Sequence, residues 1–194
     1  MGWPNGSYRV GPLGRLNMVD VVETPLAGEE LKVFKALNDG APVENTLYYH
    51  YARMIEVLFS IEKIEEILDN PETMGSEILD TKENFQGEGV GCLEAPRGTL
   101  IHHYRANEDR RLTMVNLIVS TGHNNFSMCN AVDMVAKEYV KDHGVTEGML
   151  NRVEAAVRAH DPCLSCSTHA VGQMPIMINV KDSKGQTIKT MTRE

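Results

Sequence analysis

The longest periodic stretch of the chain runs from Asn45 or Thr46 to Asp69. Along it Leu47, Tyr51, Met54, Leu58, Ile61 and Leu68 fall on one helical face, and Ile55, Ile64 and Ile67 widen that face. A helix over this span is about 36 Å long, with Asn45 or Thr46 as N-cap and Asn70-Pro71 as its stop. Glu56, Glu62, Lys63, Glu65 and Glu66 then form a mostly solvated face, and His50 reads as structural. Upstream, Leu31, Phe34 and Leu37 predict a short helix over 28–38, closed by Gly40 and Pro42. Downstream, apolar and β-branched runs at 89–93, 99–105 and 112–120 predict a small antiparallel sheet, with a turn at Asn107-Glu108-Asp109. Two more helices follow. One spans 127–142, with Met128, Ala131, Val135 and Tyr139 on one face and Gly144 at its C-cap position. The other is N-capped by Thr146, buries Leu150, Val153 and Val157, and ends at Asp161-Pro162. Met174, Ile176, Ile178 and Val180 alternate before Lys184-Gly185, and Thr187, Ile188 and Thr190 alternate after it, so 170–194 reads as a hairpin. The fold class is α+β and mainly helical: long helices packed with a small antiparallel sheet, then a C-terminal loop and a hairpin tail.

The N-terminal segment fits neither a regular helix nor a central strand, since Gly2 to Leu16 is rich in glycine and proline. Trp3, Tyr8, Val10, Leu13 and Leu16 are costly residues for a free leader. The alternative is a segment that lies against a partner surface. Composition narrows the class. With 194 residues and 42% hydrophobic content the chain can form a core, and a net charge of −8 argues against a nucleic-acid partner. No apolar run is long enough to span a membrane, and no signal-peptide pattern opens the chain. Four cysteines are too few for a secreted disulfide scaffold, which points to a reducing, cytoplasmic setting.

The candidate chemistry concentrates in Asp161-Pro162-Cys163-Leu164-Ser165-Cys166-Ser167-Thr168-His169. Cys163, Cys166 and His169 bring two thiolates and an imidazole within one loop's reach, a set that soft metals prefer to carboxylate or water. The C-x2-C spacing alone also suits half a zinc knuckle, a redox pair or two incidental thiols. In Glu94-Ala95-Pro96-Arg97-Gly98, Arg97 stands between a proline and a glycine, which suits a guanidinium aimed into a pocket and equally a solvated surface turn. Cys92 and Cys129 lack metal spacing and read as packed structural thiols.

Taken whole, the string from Asp161 to His169 resembles the C-terminal motif DPCxxCxxH of the large subunit of [NiFe] hydrogenases. Three other segments resemble that family in the same order: Val10-Gly11-Pro12-Leu13-Gly14-Arg15, the Glu94–Gly98 stretch, and Val119-Ser120-Thr121-Gly122-His123-Asn124-Asn125, in which Ser120 replaces a usual proline. The likeness is nearest to cytoplasmic enzymes of methanogenic archaea that do not reduce F420. It implies a C-terminal portion of the fold, about two-fifths of the usual length, whose natural start lies before Met1. Cys163 is then a terminal nickel ligand, Cys166 bridges nickel and iron, and His169 binds a magnesium or iron ion. Pro96 and Arg97 cover an Fe(CN)2(CO)-bearing nickel–iron centre, Asp161 fixes Arg97, and Thr121 donates to an iron cyanide. At such a centre H2 divides heterolytically, with a thiolate or Arg97 taking the proton.

The family's first cysteine motif, which supplies the other two nickel thiolates, is absent from this chain. The resemblance therefore implies three partners: an N-terminal half of the large subunit, a maturation endopeptidase and an iron–sulfur small subunit. The endopeptidase would remove residues 170–194 after His169, leaving 1–169 as the mature part. The other readings are a non-catalytic zinc-binding protein and a metal-free structural protein related to hydrogenases.

Overall fold

A computed structural model describes residues 5–79, 85–144, 146–163 and 176–193. It divides into two compact units, Met1–Pro162 and Cys163–Glu194.

The first unit is built around α1 (Pro12–Met18), α2 (Pro25–Ala36) and α3 (Tyr48–Leu68). The segment expected to be irregular contains α1. Pro12 occupies the first turn, where its missing N–H costs nothing and its fixed φ favours the helix. Leu13 and Leu16 are buried by it, so two of the residues too costly for a free leader are core. Proline also starts α2 earlier than the spacing predicted, at Pro25. Ala27, Leu31 and Phe34 of α2 join Val43, Tyr49, Ala52, Ile55 and Ala159 in the core. Asn17 closes the end of α1, its amide donating to the Leu13 and Val43 carbonyls at 2.9 Å while its oxygen accepts from the Val43 N–H at 2.9 Å.

The long helix forms as expected, but it buries a different face. Tyr49, Ala52 and Ile55 are buried, whereas Leu47, Met54, Ile61 and Leu68 are exposed. The apolar stripe is broad enough to offer two faces, and α1, α2 and α5 take the one centred on Tyr49, Ala52 and Ile55. Two of the glutamates read as solvated have partners outside α3, beside the Lys63–Glu66 pair within it. Glu62 accepts from the Leu26 and Ala27 N–H groups at 2.8 and 3.0 Å, capping the N-terminus of α2. Glu56 receives Arg15.

The predicted sheet is present. β1 (Glu88–Ala95), β2 (Gly98–Ala106) and β3 (Leu112–Ile118) pair antiparallel in that order. Pro96-Arg97 is the two-residue turn of the first hairpin, with Ala95 opposite Gly98. The expected turn after β2 closes through Asn107, whose carbonyl accepts from the Arg110 N–H at 2.9 Å.

α4 (Ser120–His143) begins seven residues before the predicted helix, because the polar Ser120–Asn125 stretch is helical. Gly144 follows it at φ 64°, as the C-cap expectation requires. Thr146 caps α5 (Glu147–Ala159), its hydroxyl accepting from the Met149 N–H at 3.3 Å. The second unit contains the tail hairpin, β4 (Ile176–Lys181) paired antiparallel with β5 (Thr187–Arg193). The proposed boundary at 169/170 lies outside the described residues.

Candidate metal centre

Three of the motifs meet around two glycines. Gly11 has φ +90°, and a Cβ there would lie 2.8 Å from the Arg97 carbonyl oxygen. Gly98 has φ +129°, and a Cβ there would lie 2.8 Å from Val10 Cβ and 2.9 Å from the Gly11 nitrogen. Both positions need the left-handed region and backbone-to-backbone approach, which glycine alone supplies without strain. Asn124 on α4 locks the contact: its oxygen accepts from the Val10 N–H at 3.0 Å, and its amide donates to the Val10 carbonyl at 3.2 Å. The Tyr49 hydroxyl donates to the same carbonyl at 3.1 Å. Burial raises the Tyr49 pKa to about 12, against the opposing pull of Arg9, Arg53 and Arg15. Ser120, standing where the family pattern has proline, donates from Oγ to the Gly98 carbonyl at 2.7 Å and ties α4 to the Arg97 turn.

Arg97 reaches from this turn to Asp161. Its Nε donates to the Asp161 carbonyl at 2.9 Å and stands 3.2 Å from Oδ2, and its Nη2 donates to Oδ1 at 3.4 Å. Asp161 sits at φ 50°, just past the end of α5, a conformation that aspartate tolerates better than most residues. Arg53 of α3 flanks it from another side, with Nε 4.0 Å from Oδ2 and Nη2 donating to the Ala159 carbonyl at 3.0 Å. Asp161 thus lies between two guanidinium groups. It also borders, with Pro96, a groove of about 620 Å³ whose other walls include Leu16, Val22, Ile55 and Phe59.

His160 anchors the helix end that carries Asp161. It is buried, with Nδ1 facing the Ala156 carbonyl at 3.0 Å and Nε2 facing Ser127 Oγ at 3.1 Å. A ring nitrogen facing a carbonyl must carry the proton, so Nε2 accepts from the Ser127 hydroxyl. Its ring also packs on Tyr49, with centroids 5.0 Å apart. Burial lowers the His160 pKa, the charges of Arg9 and Arg53 add to this, and the Ala156 carbonyl opposes it.

The structure therefore brings Pro96, Arg97 and Asp161 together, with Thr121 half-buried on the first turn of α4. Cys163 is half-buried in the second unit, while Cys166 and His169 lie outside the described residues. Among the described residues no group of three or more His, Cys, Asp or Glu side chains is placed to hold a metal ion. By residue type Cys163 and Cys166 fit a thiolate-held metal in part, although Cys163 is disulfide-bonded in this structure, and the anchored Asp161 stands two positions before Cys163 in the chain. Cys92 and Cys129 are exposed free thiols, correcting the expectation that both are packed. Cys92 lies on a strand that is largely exposed, and Cys129 on the open side of α4. Arg53 and Arg15 carried no assignment from sequence, and Glu56 was read only as part of a solvated face. Arg15 at least stands inside a matching motif, but a lone arginine or glutamate on a helix carries no signal of its partner.

A family model describing nickel-dependent hydrogenases matches residues 2–169, and the chain belongs to that family. The matching region is the C-terminal portion of the large subunit. The chain is 46% identical over 196 residues to the NAD-reducing hydrogenase HoxS subunit beta of Cupriavidus necator, covering 100% of this chain and 40% of that protein. It is 41% identical over 194 residues to a component of the F420-non-reducing hydrogenase of Methanothermobacter thermautotrophicus, covering 97% of this chain and 40% of that one. The crystal structure of an NAD+-reducing [NiFe]-hydrogenase in the H2-reduced state superimposes with a TM-score of 0.80 and 47% identity, over 87% of this chain and 37% of that chain. The chain spans about two-fifths of the relatives it matches. No helix among the described residues is long and apolar enough to cross a membrane.

Proposed function

We propose that the chain is the C-terminal portion of a [NiFe] hydrogenase catalytic subunit, supplying two of the four thiolates of the metal centre. The observation that carries this reading is the Arg97–Asp161 pair. Residues 64 positions apart meet immediately before Cys163, the first cysteine of the metal motif. Cys163 and Cys166 would hold the nickel–iron group, and His169 would bind a magnesium or iron ion. When bound, a nickel–iron group bearing cyanide and carbon monoxide would supply the chemistry of heterolytic H2 cleavage. Around it this chain would provide a permanent cation at Arg97, which favours the thiolate form of the cysteines. Asp161 holds that guanidinium through its carbonyl and carboxylate, Pro96 restricts the turn that presents it, and Thr121 would donate a hydrogen bond to an iron cyanide.

The activity is the reversible conversion of H2 to two protons and two electrons, in a cytoplasmic enzyme. It requires an N-terminal half of the large subunit, an endopeptidase that removes residues 170–194, and an iron–sulfur small subunit. The test is the C-terminus and metal content of the chain from its native source. A chain ending at His169 with nickel bound is the expected result. An intact terminus at Glu194 with zinc in place of nickel overturns the reading in favour of a zinc-binding protein, and an intact, metal-free chain in favour of a structural protein.

A further inference from the structure

Arg15 lies on α1, and none of the roles assigned above uses it. A guanidinium presents five N–H donors in a planar fork, and here every one has an acceptor. Nε and Nη2 donate to the two oxygens of Glu56, each at 2.7 Å. Nη1 donates to Glu94 Oε1 at 2.6 Å and to the Ala95 carbonyl at 2.9 Å. Nη2 donates also to the Pro96 carbonyl at 2.7 Å. Burial opposes the charge of Arg15, but the hydrogen bonds and charges of Glu56 and Glu94 outweigh it and raise the pKa above the ordinary arginine value.

These acceptors belong to two structures that must keep register with each other. Glu56 is part of α3, whereas Glu94, Ala95 and Pro96 lead into the hairpin turn. The Pro96 carbonyl is half of the peptide bond to Arg97, so fixing it fixes the point from which the Arg97 side chain departs. A two-residue turn has no strand ladder to hold its central carbonyls, and the Arg97 side chain is itself 42% exposed. Lysine cannot replace this fork, because an ammonium is a point charge that cannot bridge two carboxylates and two carbonyls in a plane.

We propose that Arg15, braced by Glu56, is a positioning residue for Arg97: it holds the Ala95–Pro96 carbonyls against α3 so that the Arg97 guanidinium meets Asp161. The functional meaning rests on the reading of Arg97 as a residue of the metal site, but the positioning itself involves no metal. Arg15→Lys and Glu56→Gln are made separately in the full chain. Hydrogen exchange at the Arg97 Nε–H is measured by NMR, with the Ile55 amide as the reference for an intact core. The expected result is exchange at Arg97 quickened about tenfold while Ile55 stays within about twofold, in at least one variant. Unchanged exchange at Arg97 in both variants, with Ile55 still protected, overturns the proposal. Equal loss of protection at both positions in both variants also overturns it, since Arg15 would then stabilise the unit as a whole. Zinc in the native protein would overturn the hydrogenase reading and leave this result standing.

Discussion

The Nε of Arg97 donates to the main-chain oxygen of Asp161 and also stands 3.2 Å from its carboxylate, so one guanidinium reads both the backbone and the charge of one residue. The two contacts have different consequences when Asp161 is changed. Both side chains are about two-fifths exposed, so the ion pair contributes at most about 1 kcal/mol to folding. Asp161→Asn keeps a side chain that tolerates φ 50° and is expected to unfold in urea within about 1 kcal/mol of the unaltered chain. Asp161→Ala adds the strain of a left-handed alanine, about 1–2 kcal/mol more. Equal stabilities for the two variants would show that the backbone at 161 is not held as described.

Gly98→Ala is expected to cost about 3 kcal/mol, read from the urea midpoint. The new methyl meets Val10 and the Gly11 nitrogen, and the backbone is already at a φ that alanine disfavours. A loss below about 1 kcal/mol would mean that the Val10 and Arg97 segments can separate freely.

His160 makes stability depend on pH. Its folded pKa lies below the ordinary histidine value of about 6.5, so the folded chain binds fewer protons there than the unfolded chain. This stabilisation is complete above about pH 6.5 and is lost as the pH falls through the folded pKa. Melting curves at about pH 7.5 and 5.5 should show a larger drop for the unaltered chain than for His160→Gln. The same drop in both would remove His160 from the account.

Cys166→Ser in the native protein should lower nickel retention by about tenfold or more, because even an outer partner of a metal ligand commonly costs that much. Processing after His169 should fail with it. Nickel content equal to that of the unaltered protein would exclude Cys166 as a ligand.

Ser120→Ala is expected to cost about 1–2 kcal/mol. It leaves the buried Gly98 carbonyl without the hydroxyl donor that lies 2.7 Å away. Urea unfolding checks this, and an unchanged midpoint would show that water replaces the hydroxyl.

By itself the sequence determined what depends on short spacing. The helix at Tyr48–Leu68, the Thr146 cap, the three strands with their Asn107 turn and the tail hairpin all follow from periods and caps that a few neighbouring residues define. The metal motif and the three other family segments were equally legible, since each is a local string. The tertiary structure alone decided which face of the long helix is buried, because a broad apolar stripe offers more than one face to its packing partners. It alone joined Gly11 to Arg97, Arg97 to Asp161 and Arg15 to the turn, since a hydrogen bond between positions 64 or 80 apart leaves no period in the chain. It also made a helix of Pro12–Met18: a proline that breaks a helix interior starts one when the residues after it have a core to enter.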